Sequence, residues 1–253
     1  MSLLRNNVMP RLRLLRTALC RRFVYADVVA MAREYGIDYR DVGGDVEPFG
    51  FVRSLVAGAS ADPPDFSATI EPAEGFTPAG APPQFNSEPS VGRFLGQLVF
   101  FSRAGTVVEL GSFAGWASAH MALALKAAGC GGRLYCVDYM QEYLDAALAN
   151  LRRHGLEGLV TPVRGLSLDP AVLAALPAAG IDVIFLDTSH AYPDTRDEIL
   201  AYAPRLSRGG ALVLHDSVSA SGVRRSVKEV AGRFRVMTFA TEQGNGVTVL
   251  RPR

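Results

Sequence analysis

The chain has 253 residues, 49% of them hydrophobic and 20% charged, with 26 Lys and Arg against 25 Asp and Glu for a net charge of +1. That length and apolar content suffice for a full core in one α/β domain with an added segment, and the near-neutral charge argues against an obligate nucleic-acid binder. Cys20, Cys130 and Cys136 are odd in number and in no metal-ligand spacing, which points to a reducing, cytoplasmic compartment, and the apolar run Val91 to Phe101 is too short for a membrane span and carries Arg93.

Residues 1–56 read as a helical N-terminal segment. Arg5, Arg11, Arg13, Arg16, Arg21 and Arg22 precede the first acid, Asp27, with leucines between them. This is the pattern of a basic amphipathic helix that packs on the body or on a second copy in a homodimer; a targeting or membrane-surface role is the alternative. Residues 57–90 collect Pro63, Pro64, Pro72, Pro78, Pro82, Pro83 and Pro89, which exclude a long helix and leave a linker or a lid over the site.

Regular alternation begins in the third segment, residues 91–253. Helices are predicted at Val91–Ser102, Trp116–Ala128, Met140–His154, Pro170–Leu176, Asp194–Leu206 and Gly222–Gly232. Between them, short β-branched or apolar runs predict strands at Thr106–Leu110, Arg133–Val137, Val160–Arg164, Ile181–Leu186 and Ala211–Leu214. Phe234–Thr238 and Gly246–Leu250 close the chain as a hairpin. Alternating βα units imply a doubly wound, mostly parallel sheet of seven strands, and the hairpin makes one of them antiparallel.

The first strand runs into Glu109-Leu110-Gly111-Ser112-Phe113-Ala114-Gly115, an acid and two spaced glycines where strand turns to helix. Glycine there permits positive φ and close approach of a ligand, beside the free N–H groups of a helix start. A dinucleotide fingerprint would put a glycine where Phe113 stands. The acid-x-Gly-x-x-x-Gly pattern instead resembles motif I of the class I S-adenosylmethionine (SAM) dependent methyltransferases, and residues 84–253 resemble their Rossmann-like domain. Glu88-Pro89-Ser90-Val91-Gly92-Arg93-Phe94-Leu95 and Leu110 to Ser118, with Trp116 in place of a more usual Tyr, are similar to the metal-dependent small-molecule O-methyltransferases of the catechol, caffeoyl-CoA and macrolide-sugar types. The resemblance implies SAM bound by Glu109, Gly111, Ser112, Gly115, Trp116, Asp138, Ser167 and Asp187, with Asp138 on the ribose hydroxyls and Ser167 by the adenine.

Asp187 and Asp216 each follow an apolar strand, where open α/β sheets bind ligands, and two converging carboxylates need a cation between them. A hard ion such as Mg²⁺ suits oxygen ligands. The catechol-type resemblance implies a metal set of Asp187 and Asp216 with the next residue, Ser217, where that family has Asn. His190 lies where the macrolide-sugar type carries a His as general base, so Asp187 and His190 are the expected catalytic pair. The expected activity is SAM-dependent O-methylation of a small hydroxylated metabolite, with no nucleic-acid partner and no membrane span. The alternatives are an NAD-linked oxidoreductase, a non-catalytic subunit on the same fold, and a methyltransferase in which Asp187 orients substrate without a metal.

Overall fold

The computed structural model of the chain describes Ile70, residues 75–78, 86–239, 241 and 243–253. The expected N-terminal helical segment and most of the expected linker or lid lie outside the described residues. The described elements, in chain order, are α1 (Pro89–Ser102), β1 (Thr106–Leu110), α2 (Trp116–Ala128), β2 (Arg133–Asp138), α3 (Gln141–Arg153), β3 (Val160–Arg164), α4 (Pro170–Ala175), β4 (Ile181–Leu186), α5 (Tyr192–Tyr202), β5 (Leu206–Leu214), α6 (Ser221–Val230), β6 (Phe234–Phe239) and β7 (Val247–Pro252). They build one seven-stranded sheet in the order β3-β2-β1-β4-β5-β7-β6, in which β7 alone runs antiparallel to its neighbours β5 and β6.

The central strands β1 and β4 are buried on both faces because helices cover both. Val107, Cys136, Val183, Phe185 and Val213 point into one core under α1, α2 and α3, while Val108, Val137, Ile184, Leu186 and Leu212 point into the other under α5 and α6. This period-two alternation turns Glu109 to the same face as Val107 and Phe185, against α2. Among the described residues no helix is long and apolar enough to cross a membrane.

Two boundaries differ from the expectation by more than two residues. The helix starting near Asp194 ends at Tyr202 and tightens into a 3₁₀ turn over Ala203–Arg205, around Pro204. Strand β5 begins at Leu206, so Gly209-Gly210 lies inside it: Ile181 pairs with Leu206 and Val183 with Ala211, and the residues between form an irregularity. A Cβ on Gly210 would stand 2.8 Å from the carbonyl oxygen of Ile181, so the strand pair closes only around glycine. Arg205 donates from Nη1 to the carbonyl of Leu173 at 2.8 Å.

The sheet brings the ends of β1, β4 and β5 side by side at the point where the strand order reverses. Asp187 N donates to Leu110 O at 2.9 Å, and His215 N to Leu186 O at 3.1 Å. Gly111, at φ +87°, lets this happen, because a Cβ there would sit 2.0 Å from Asp187 O. Gly111→Ala is expected to cost about 3 kcal/mol or more through backbone strain and overpacking, read as a lowered denaturant midpoint; a midpoint unchanged from the parent would contradict this account of the strand ends.

Candidate active site

The β1–α2 turn consumes its own donors. Gly111 N and Ser112 N both donate to Val137 O, at 2.9 and 3.1 Å, Gly115 N donates to Ser112 O, and Phe113 N donates to Asp138 Oδ2 at 2.9 Å. The positive φ of Phe113, +43°, belongs to this tight turn. Gly115 serves packing: a Cβ there would meet Ala147 of α3 at 2.8 Å. With these N–H groups engaged, the turn is poorly suited to a pyrophosphate, which would need them free.

A cavity opens beside the turn, lined by Ser87, Glu109, Gly111, Ser112, Trp116 and Asp187 among others. Burial pushes the carboxyl of Glu109 up to about 8, against the opposing effect of hydrogen bonds from Ser118 and Cys136. It is therefore largely uncharged near neutrality and would ionise if a cation entered beside it. Ser112 Oγ is buried with no hydrogen-bond partner. Asp138 adjoins this turn outside the cavity lining; Oδ2 accepts from Phe113 N and Oδ1 from Met140 N at 3.0 Å, and burial raises its pKa despite both bonds.

Next to the cavity, three carboxylates and two imidazoles converge. His190 Nε2 lies 3.0 Å from Asp187 Oδ1 and 3.2 Å from Asp216 Oδ2. His215 Nδ1 lies 3.3 Å from Asp187 Oδ2 and 3.3 Å from Asp216 Oδ2, while its Nε2 is 2.6 Å from Glu88 Oε2. Ser87 Oγ donates to Asp187 Oδ2 at 3.2 Å, Ser219 Oγ to Asp216 Oδ1 at 2.9 Å, and Thr241 Oγ1 to Glu88 Oε1 at 2.6 Å. Side-chain exposure falls from 31% at His190 to 1% at Glu88, so the cluster runs from an open mouth into the core. His190 and Asp216 both hold positive φ, +58° and +52°, a conformation that costs a non-glycine residue on the order of 1 kcal/mol or more. Gly222 secures the first of these: its missing Cβ leaves room for His190 O, which would otherwise lie 2.2 Å away.

The charges follow this geometry. Burial alone would raise the Asp187 carboxyl, but His215 and His190 hold it well below the usual range, and His215 and His190 likewise lower Asp216 against burial and the charge of Asp187. Burial would lower both imidazoles; instead Asp187 and Asp216 raise His190, and Asp187, Asp216 and Glu88 raise His215 well above its ordinary value. Glu88 is depressed by His215 and Thr241 in spite of its burial.

Of the expected cofactor residues, Glu109, Gly111, Ser112, Trp116 and Asp187 line one cavity; Gly115, Asp138 and Ser167 do not. Ser167 Oγ bonds instead to the buried Glu198, which also accepts from Thr188 Oγ1 at 2.8 Å. Of the expected metal set, Asp187 and Asp216 come together with His190 as the third potential ligand, all within 4.8 Å. Ser217 is buried, and its hydroxyl has no hydrogen-bond partner. The site residues expected from the sequence include neither Glu88 nor His215, which the structure places in the cluster. An acid directly before Pro89 at a helix start reads as a cap, yet Glu88 makes no side-chain cap and turns to His215.

Residues 108–217 match a family described as a methyltransferase domain. The chain is 33% identical over 141 residues to a catechol O-methyltransferase of Niastella koreensis, a match covering 55% of this chain and 61% of that protein's length. Among solved structures, the O-methyltransferase TomG from Streptomyces achromogenes, involved in tomaymycin synthesis and solved with SAM, aligns with a TM-score of 0.60 at 22% identity over 80% of this chain and 94% of that one. An O-methyltransferase from Bacillus cereus, solved with S-adenosylhomocysteine (SAH), aligns at 0.59 and 19% identity over 84% and 93%. The chain shares the fold of these O-methyltransferase structures, a seven-stranded Rossmann-like sheet in which β7 runs antiparallel to its neighbours.

Glu109 provides a direct check on the cavity's electrostatics. Its folded-state pKa is raised, so its contribution to stability is fully present below about 4.5 and is lost as pH rises toward about 8. Glu109→Gln, which cannot ionise, is expected to gain stability relative to the parent across that window, on the order of 4 kcal/mol in all, and to track it above pH 8. Denaturant unfolding at several pH values measures this; parallel curves from pH 4.5 to 8 would contradict it.

Proposed function

We propose that this chain, a methyltransferase domain on the class I SAM-dependent methyltransferase fold, transfers the methyl group of SAM to a hydroxyl of a small metabolite with the help of a divalent cation. The observation that carries the reading is the pairing of two anionic requirements across one cavity: Glu109, held uncharged for want of a counter-ion, and Asp187, which also belongs to the carboxylate cluster. SAM brings a sulfonium and an ammonium and no pyrophosphate, which suits a site with spare carboxyl groups and few spare N–H donors. Ser112 Oγ, buried without a partner, is available to the amino-acid end, and Asp138 is near enough to the turn to accept the ribose hydroxyls, charge-assisted.

Methyl transfer is an in-line displacement, so the chain's task is to hold the acceptor oxygen about 3 Å from the methyl carbon and to ease its deprotonation. A cation on Asp187 and Asp216 would supply the second by lowering the hydroxyl's pKa. His190, at the open mouth of the cluster, is the candidate base. A proton and a metal ion compete for the same Nε2 lone pair, so His190 accepts the hydroxyl proton only while no ion occupies it. Gly222 leaves room for the positive-φ backbone of His190, from which its Nε2 reaches Asp187 and Asp216, and this supports the reading. We place the reaction in a reducing, cytoplasmic compartment, consistent with free thiols at Cys130 and Cys136.

The NAD-linked alternative is disfavoured by Phe113 and by the engaged N–H groups of the turn. The catechol relative's name makes catechols the first acceptors to assay. SAH is expected to bind saturably in calorimetry, about ten-fold or more weakly in Asp138→Ala, and SAM with a labelled methyl group should yield a labelled ether from a catechol or other hydroxylated acceptor. Binding of NAD⁺ without binding of SAH would refute the proposal.

A further inference from the structure

The buried nitrogen His215 Nδ1 faces two carboxylates yet makes no hydrogen bond to any atom of the protein. His215 is 5% exposed, its Nε2 is committed to Glu88 Oε2, and its Nδ1 faces Asp187 Oδ2 and Asp216 Oδ2 at 3.3 Å each without hydrogen-bond geometry to either. A polar atom so placed, fixed from behind by a carboxylate and aimed at two more, has the arrangement of a carboxylate–histidine–metal triad, in which the outer carboxylate orients the ring and sets its tautomer. His190 Nε2 approaches the same two carboxylates from the solvent side.

We infer that the cation site of this chain is a mixed nitrogen–oxygen site, formed by Asp187, His190 and Asp216 with His215 Nδ1 as fourth donor, and selects a divalent transition metal over Mg²⁺. The inference rests on the proposed cation-assisted reaction and replaces its expected third ligand, Ser217, with imidazole. Two observations support it. Asp216 Oδ2 lies 3.2 Å from His190 Nε2 and 3.3 Å from His215 Nδ1, while Asp187 presents Oδ1 to His190 at 3.0 Å and Oδ2 to His215 at 3.3 Å, so that it spans the two imidazoles with its two oxygens. Metal–ligand bonds of about 2.0–2.1 Å require separations of roughly 2.9 Å in octahedral and 3.4 Å in tetrahedral coordination. The donor chemistry then selects the ion: imidazole suits Zn²⁺, Co²⁺ or Ni²⁺, whereas Mg²⁺ takes oxygen and water. In the loaded protein His190 is a ligand and not the base, and the acceptor hydroxyl, its pKa lowered by the cation, gives its proton to solvent at the open mouth of the cluster.

The test uses the full chain, stripped with a chelator and titrated with Co²⁺, whose visible absorption reports its ligands, while SAH binding is followed separately by calorimetry. One equivalent of Co²⁺ should give a visible spectrum that Zn²⁺ abolishes and a roughly hundred-fold excess of Mg²⁺ leaves in place. His190→Ala should shift the spectrum, and Glu88→Gln, which touches no metal ligand except through His215, should weaken Co²⁺ about 10- to 100-fold while circular dichroism is unchanged. Displacement of Co²⁺ by comparable Mg²⁺, or a spectrum indifferent to His190→Ala, would overturn the inference. If no Co²⁺ binds while SAH still does, the metal site fails and the cofactor reading stands; if SAH fails to bind as well, the proposed function fails with it.

Discussion

Three carboxylates, Asp187 and Asp216 beyond the ends of β4 and β5 and Glu88 at the start of α1, surround the buried imidazole of His215, and positive charge must accompany them. Two glycines make room for that arrangement. Gly111 lets β1 close on the backbone of Asp187, and Gly222 gives the strained His190 room. Two imidazoles then stand between the acids, one open to solvent and one buried, with Thr241 and Ser87 satisfying further carboxylate oxygens. Removing one member leaves uncompensated charge in a low-dielectric setting, so effects here should be strongly non-additive.

The same constraint joins the two halves of the proposed reaction. Asp187 lines the cavity beside Glu109 and also belongs to the cluster with His190 and Asp216. A cationic ligand entering the cavity and a cation in the cluster would therefore sense each other through one carboxylate. Glu88 extends the link outward: it starts helix α1, accepts from Thr241 in the β6–β7 connection, and holds His215 at the end of β5. The residues immediately before α1 are thereby tied to the electrostatics of the site.

Much of this was legible in the sequence, for identifiable reasons. Strands buried on both faces write themselves as continuous apolar, β-branched runs, and β1 and β4 have the expected limits. Asp187 and Asp216 could be paired because each follows such a run. What escaped prediction depends on long-range contact. Glu88 meets a histidine 127 positions away, and nothing local marks an acid before proline as buried. Gly209-Gly210 has the composition of a turn, and only the pairing with β4 turns it into a strand irregularity. The motif glycines were located correctly, but Gly111 and Gly115 make room for Asp187 and Ala147, where the sequence alone suggested room for a ligand. Ser167, expected by the adenine, is bonded to Glu198, a buried acid whose helix position carries no signal of its partner.

The most direct test is a crystal structure of the full chain with SAH. The account predicts SAH seated in the cavity between Glu109 and Asp187, its ribose on Asp138 and its sulfur facing the Asp187–Asp216 pair. SAH bound elsewhere, or with its ribose remote from Asp138 and its sulfur turned from the carboxylates, would contradict it.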